Sequence, residues 1–151
     1  YIAPCLQTRW KGLWNLKETL PAGCPECIGP DGGGIVNYVD YIGNKYPNAK
    51  LGLISSTRDN VITLFFGYGK NDCKDLDGIA TPVDGAVYAA GLDDLRKNHM
   101  TGAASWSTYY IDATQHTYLL AGLYSTTVQG KKLSAWLADM VNDGPAEHVG
   151  P

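Results

Sequence analysis

Two short apolar runs carry the strand signal of this sequence, and five helix-spaced segments surround them. Lys50-Leu51-Gly52-Leu53-Ile54-Ser55 follows a helical segment and a proline, and its length predicts a buried parallel strand. Ser105 to Ile111 is aromatic and β-branched, the composition of a second strand. The helical segments are Thr8–Leu20, Ile35–Tyr46, Val61–Tyr68, Thr81 to about Asn98, and Ala135–Val141. Helices alternating with apolar runs predict an α/β fold with a mainly parallel sheet. Two strands cannot cover the apolar faces of five helices. The expectation is therefore a sheet completed by residues outside this chain, either an N-terminal segment or a partner chain.

Local signals set the expected boundaries. In Thr8–Leu20, Trp10, Leu13, Trp14 and Leu20 fall on one stripe, and Pro21 ends the segment. Ala22 to Gly34 reads as a loop. Its Gly32-Gly33-Gly34 run has neither a preceding strand nor a Lys-Ser/Thr pair, so it is no phosphate loop. Ile35, Val36, Val39, Ile42 and Tyr46 have helical spacing, and Pro47 stops them. Thr81-Pro82 reads as a cap and first helical position. Ser125 to Val128 reads as a short strand, Gln129-Gly130 as a turn, and Ser134 as the cap of the last helix. Residues 1–151 form one segment, without internal repeats or low-complexity runs.

Charge and cysteine usage narrow the class. The chain has 151 residues, 44% hydrophobic and 18% charged, with a formal net charge of -3. That balance excludes a disordered chain and gives no electrostatic reason to bind nucleic acid. No run reaches the ~18–20 apolar residues of a membrane span. The four cysteines, Cys5, Cys24, Cys27 and Cys73, with many Gly and Tyr, point to a secreted or periplasmic protein with disulfides. Three pairings are open within the chain, as is a bridge to a missing one. Zinc is the competing reading of Cys24-Pro-Glu-Cys27, but there is no second CxxC. The opening Tyr1-Ile2-Ala3-Pro4 reads as a processed start or an arbitrary boundary.

Catalytic residues of parallel sheets sit just beyond the carboxyl ends of strands. Asp59 lies four residues beyond Ser55, and His116 five residues beyond Ile111. A carboxylate followed by an imidazole is the later part of a Ser–Asp–His order, in which Asp fixes the imidazole and His moves the proton. On position alone, Asp59 reads first as a cap for the helix Asn60–Tyr68 and only second as a catalytic acid, while His116 reads equally as catalytic or structural. Asp112 is the reserve acid. His99 falls near a helix end and His148 in a polar tail. No Gly-x-Ser-x-Gly elbow occurs, so the nucleophile is expected on another chain or an upstream segment.

Three stretches resemble pectin acetylesterase-family hydrolases, whose superfamily includes the Notum carboxylesterases. Gly52-Leu-Ile-Ser-Ser-Thr-Arg-Asp59-Asn-Val-Ile62, followed by Phe65-Phe66-Gly67, resembles their acid-residue segment. Tyr109-Tyr-Ile-Asp-Ala-Thr-Gln-His116-Thr-Tyr-Leu119 resembles their histidine segment, and Tyr88 to Leu95 the helix between. Trp10 to Leu20 with its cysteine-bearing loop fits bacterial secreted members. The resemblance spans most of this chain but only the C-terminal portion of a whole member. It implies the C-terminal half of an α/β-hydrolase fold that cleaves carboxylic esters without metal or organic cofactor. Asp59 matches the triad acid and His116 the base, and the family's serine elbow has no match. The implied partner is the N-terminal half as a second chain. The implied substrate is an acylated polysaccharide or another ester.

Two alternatives stand beside this reading. One is a non-catalytic extracellular module that binds polysaccharide through Tyr and Trp, and the other is a secreted polyester depolymerase. Trp10, Trp14, Trp106 and Trp136 read as cleft lining or as core and subunit contacts. Phe65 and Phe66 read as acyl-pocket walls or helix core. Asp93 and Asp94 read as a solvated helix face, and Arg58 as the partner of a carboxylate.

Overall fold

A computed structural model describes residues 2–29, 34–74, 76–101 and 105–151. Tyr1 and the Gly32-Gly33 pair discussed above lie outside them. The helices are α1 (Pro4–Leu13), α2 (Leu16–Thr19), α3 (Asn37–Lys45), α4 (Asn60–Gly67), α5 (Gly85–Leu95) and α6 (Leu133–Val141). The strands are β1 (Leu51–Ser56), β2 (Trp106–Ile111), β3 (Thr127–Val128), β4 (Lys131–Lys132) and β5 (His148–Val149). The chain is mixed α/β, as its alternating pattern predicts. A parallel sheet in the order β1-β2-β5 lies among helices, and β3-β4 is a separate antiparallel pair.

The pairing of β1 with β2 sorts side chains onto two faces. Gly52, Ile54 and Ser56 stand beside Ser107, Tyr109 and Ile111, while Leu53 and Ser55 stand beside Thr108 and Tyr110. On the first face Tyr109, Ile111, Leu133, Trp136 and Val149 form the buried core, with Ile54 packed against it. A Cβ on Gly52 would lie 3.0 Å from the Trp136 ring and 3.2 Å from Met140, so α6 packs flush only over glycine. On the second face Tyr110 donates to the Leu92 carbonyl at 3.1 Å, tying β2 to α5. Burial pushes the Tyr110 phenol up to about 12, so it stays a neutral donor.

Helix boundaries differ from the sequence pattern where polar contacts decide them. The Thr8–Leu20 segment starts earlier, at Pro4, and breaks at Asn15, whose φ of 49° is left-handed. Asn tolerates that conformation, so the break leaves no hydrophobic signature. Leu6 and Gln7 form the buried face of α1, and Leu13 and Trp14 are exposed. α5 starts at Gly85 rather than Pro82. The Val83 amide is held by the Thr63 carbonyl at 2.9 Å, and Asp84 caps the helix through Ala86 N. Past Leu95 the chain makes a π turn, Arg96–Met100. α6 begins at Leu133, whose amide bonds Thr126 O at 3.0 Å, so Ser134 is not its cap. The Gln129-Gly130 turn between β3 and β4 has positive φ at both residues, as a tight hairpin requires.

The four cysteines pair as Cys5–Cys73 and Cys24–Cys27, with Cα separations of 6.0 and 5.3 Å. The CxxC spacing is thus closed by a disulfide. No group of three or more metal-ligating side chains occurs among the described residues. No helix among them is long and apolar enough to cross a membrane.

β5 is a third strand that the sequence pattern did not single out. It is two residues long and is held by Arg96, whose guanidinium donates to Val149 O, Gly150 O and Pro151 O, each at 3.0 Å. Arg96 Nε also reaches Thr108 Oγ1 at 2.8 Å, and the same oxygen lies 3.0 Å from His148 Nδ1. His148 therefore belongs to the sheet edge rather than to a loose tail. Burial, then the Arg96 charge, hold its imidazole below the ordinary value of 6.5. A depressed histidine favours the docked strand while neutral. Its contribution is intact above pH 6.5 and is lost as pH falls through the lowered value. The protection factors of the Thr108 and Gly150 amides, corrected for intrinsic exchange, are expected to fall as pH drops below 6.5, and His148→Gln to flatten the change. A pH-independent protection factor in the wild-type chain would overturn this.

Candidate active site

The carboxyl ends of β1 and β2 lie side by side, and the loops leaving them stay paired. Thr57 N donates to Ile111 O at 2.8 Å, Arg58 N to Ala113 O at 3.1 Å, and Asn60 N to Thr114 O at 3.0 Å. This pairing brings Asp59 and His116 together across 57 positions of sequence. His116 Nδ1 lies 2.9 Å from Asp59 Oδ2 and 3.1 Å from Oδ1.

Asp59 caps a helix and also meets His116. Its Oδ1 accepts from Val61 N at 2.9 Å and Ile62 N at 2.8 Å, capping α4. The carboxylate is thereby fixed by the backbone before it meets the imidazole. Its side chain is 3% exposed, against 42% for His116. An ionised carboxylate only accepts, so the proton between the pair sits on Nδ1. The basic lone pair of a neutral His116 is then on Nε2. Among the described residues no group hydrogen-bonds Nε2. The dyad is a base oriented by a buried acid, presented at the surface.

The other sequence candidates separate from this pair. Asp112 bonds Arg58 at 2.7 Å and is 73% exposed, so it is not the acid of His116. Asp93 pairs with Lys97 one helical turn away at 2.7 Å, on the solvated face expected of it. His99 lies against Asp40 of α3. Trp136 is core, and Trp106 donates to the Val39 carbonyl at 3.2 Å. The Trp10 and Trp14 rings meet at a 34° tilt with centroids 4.8 Å apart, Trp10 half-buried and Trp14 exposed. Phe65 is exposed. Phe66 packs edge-on against Tyr88 and, with Leu53, Ser55, Gly91, Leu92 and Leu95, lines an apolar cleft of about 210 Å³ between β1 and α5.

Ser55 and Ser56 end β1 without the flanking glycines of a nucleophile elbow. Both are buried and hydrogen-bonded within the fold: Ser55 Oγ to Ser56 O and the Tyr88 hydroxyl, each at 3.1 Å, and Ser56 Oγ to Gln115 O and the Tyr118 hydroxyl. The Tyr88 phenol is raised, first by burial and also by the negative charge of Asp59. Neither serine bonds His116, and all four cysteines are in disulfides. The positions outside the described residues contain no Ser, Thr or Cys. No family model matches the chain, and no curated protein and no solved structure matches it significantly.

Proposed function

We propose that this chain supplies the acid and base of a secreted serine ester hydrolase, as the C-terminal half of an α/β-hydrolase fold. Asp59 orients His116. His116 Nε2 takes the hydroxyl proton of a serine borne by an N-terminal segment or partner chain as that serine attacks the ester carbonyl. The imidazolium formed is stabilised by Asp59 and returns the proton to the leaving alkoxide. Water, deprotonated by the same nitrogen, then releases the acid.

The observation that carries this reading is the Asp59–His116 contact, with the basic nitrogen turned away from its acid. The pair sits just beyond the carboxyl ends of β1 and β2, where catalytic residues of parallel sheets gather, and the His116 side chain is 42% exposed. A second support is β1, an apolar six-residue strand paired on one side alone among the described residues. Strands of this kind are normally interior to a sheet. The two disulfides are compatible with an extracellular location. The tilted Trp10–Trp14 pair, with Trp14 exposed, is compatible with a polysaccharide substrate, and by itself it equally suits a binding module without catalysis.

Fluorophosphonate labelling of the native assembly, followed by intact mass, separates these. Label is expected on the polypeptide carrying the serine and not on this 16.3 kDa chain. His116→Ala is expected to abolish both labelling and turnover of p-nitrophenyl acetate while leaving the fold intact. Label at Ser55, Ser56 or Ser105 would refute the placement of the nucleophile. An assembly that neither labels nor hydrolyses esters would leave the binding module.

A further inference from the structure

The backbone pairing that brings the two loops together ends at Thr114, the partner of Asn60. His116 lies beyond that last rung. What holds the turn there is a side chain from β1. Ser56, its last residue, is fully buried, and its hydroxyl meets both Gln115 O and the Tyr118 hydroxyl, the latter at 2.7 Å. A serine hydroxyl has one proton. The Gln115 carbonyl can only accept, so that proton goes to it, and Tyr118 must donate its own to Ser56. One buried oxygen thus binds the residue before His116 and the residue two beyond it. Gln115 closes the same turn from outside, donating through Nε2 to Thr117 O and, at 2.7 Å, to Ala121 O.

Ser55 repeats the arrangement on the opposite face. Its proton goes to Ser56 O, and Tyr88 of α5 donates to its Oγ. The two adjacent serines therefore fasten two different layers to one strand end: Ser55 holds α5, and Ser56 holds the histidine turn.

We propose that Ser56, with Tyr118 as its donor, is the positioning residue for His116, fixing the turn that aims the imidazole at Asp59. The coupling stands on these hydrogen bonds alone. Its catalytic consequence rests on the ester-hydrolase reading. Ser56 touches neither substrate nor the reacting atoms, and acts only through the geometry of residues 115–118.

Histidine ring nitrogen–proton NMR of the full chain tests it without needing activity. In the wild-type chain His116 is expected as the Nδ1–H tautomer with a downfield, slowly exchanging proton shared with Asp59. Ser56→Ala is expected to broaden or abolish that signal and mix the tautomers. Tyr118→Phe, which removes a single hydroxyl, is expected to do so in part. Ser55→Ala, at the same strand end, is expected to leave the signal as in wild type while freeing Tyr88. If Ser56→Ala does not fold, judged by the amide spectrum of β2, Tyr118→Phe decides. An unchanged signal in both variants would overturn the proposal, as would an equal loss in Ser55→Ala, since that reports a general loosening of the strand end. In the assembled esterase, Ser56→Ala is expected to lower kcat about 100-fold with KM nearly unchanged. An assembly without esterase activity would remove the catalytic consequence and leave the NMR result to decide the coupling.

Discussion

In the proposed esterase assembly, Asp59→Asn is expected to lower kcat by about 10⁴-fold while leaving the stability of this chain within about 1 kcal/mol of wild type. The two effects separate because Asp59 makes two kinds of contact. Its Oδ1 caps α4 through Val61 N and Ile62 N, and an asparagine oxygen caps nearly as well. The remaining amide nitrogen then faces His116 Nδ1 and is itself a donor. Two donors cannot share one hydrogen bond, so the imidazole moves its proton to Nε2 and can no longer accept one from the serine. Asp59→Ala loses the cap as well, at a further cost of about 1 kcal/mol. Turnover of p-nitrophenyl acetate and a thermal melt on the same preparations check both halves. Turnover within tenfold of wild type in Asp59→Asn would show that Asp59 is a cap and nothing more.

Removing the Cys5–Cys73 bridge is expected to be the most damaging change to stability, far beyond removal of Cys24–Cys27. The first closes a segment 68 residues apart and ties α1 to the turn after α4. The second joins residues three apart. Loop-closure entropy gives about 4 kcal/mol for the former and about 2 kcal/mol for the latter. A Cys5→Ala/Cys73→Ala chain should therefore melt on the order of 10 °C lower, and Cys24→Ala/Cys27→Ala roughly half as far. Urea unfolding of the two double variants measures the order directly. Equal losses would mean that local packing around the cysteines, not chain closure, sets their contribution.

What was legible in the sequence is what local chemistry decides. Asp59 one residue before an apolar helical run reads as a cap, and it is one. Asp59 and His116 each follow an apolar run at a strand-end distance, and the parallel register of β1 and β2 makes those positions neighbours. The missing information was long-range and polar. β5 is too short to show an apolar period, and Arg96 contacts to its backbone carbonyls hold it beside the burial of the single Val149 side chain. The cysteine pairing depends on where α1 packs. The start of α5 depends on a bond from Val83 to Thr63, twenty residues back. Nothing in the local sequence around Ser56 marks an anchor, because its partners Gln115 and Tyr118 lie 59 and 62 residues further on.

The Arg96-held strand also sets the valence of the sheet. With β5 closing one side over two residues only, little ladder is left there for another chain to extend, and short edges of this kind discourage pairing. β1 offers six residues on the other side. In the proposed assembly a strand-bearing partner would join along β1, and that seam would pass the strand end where Asp59 and His116 meet.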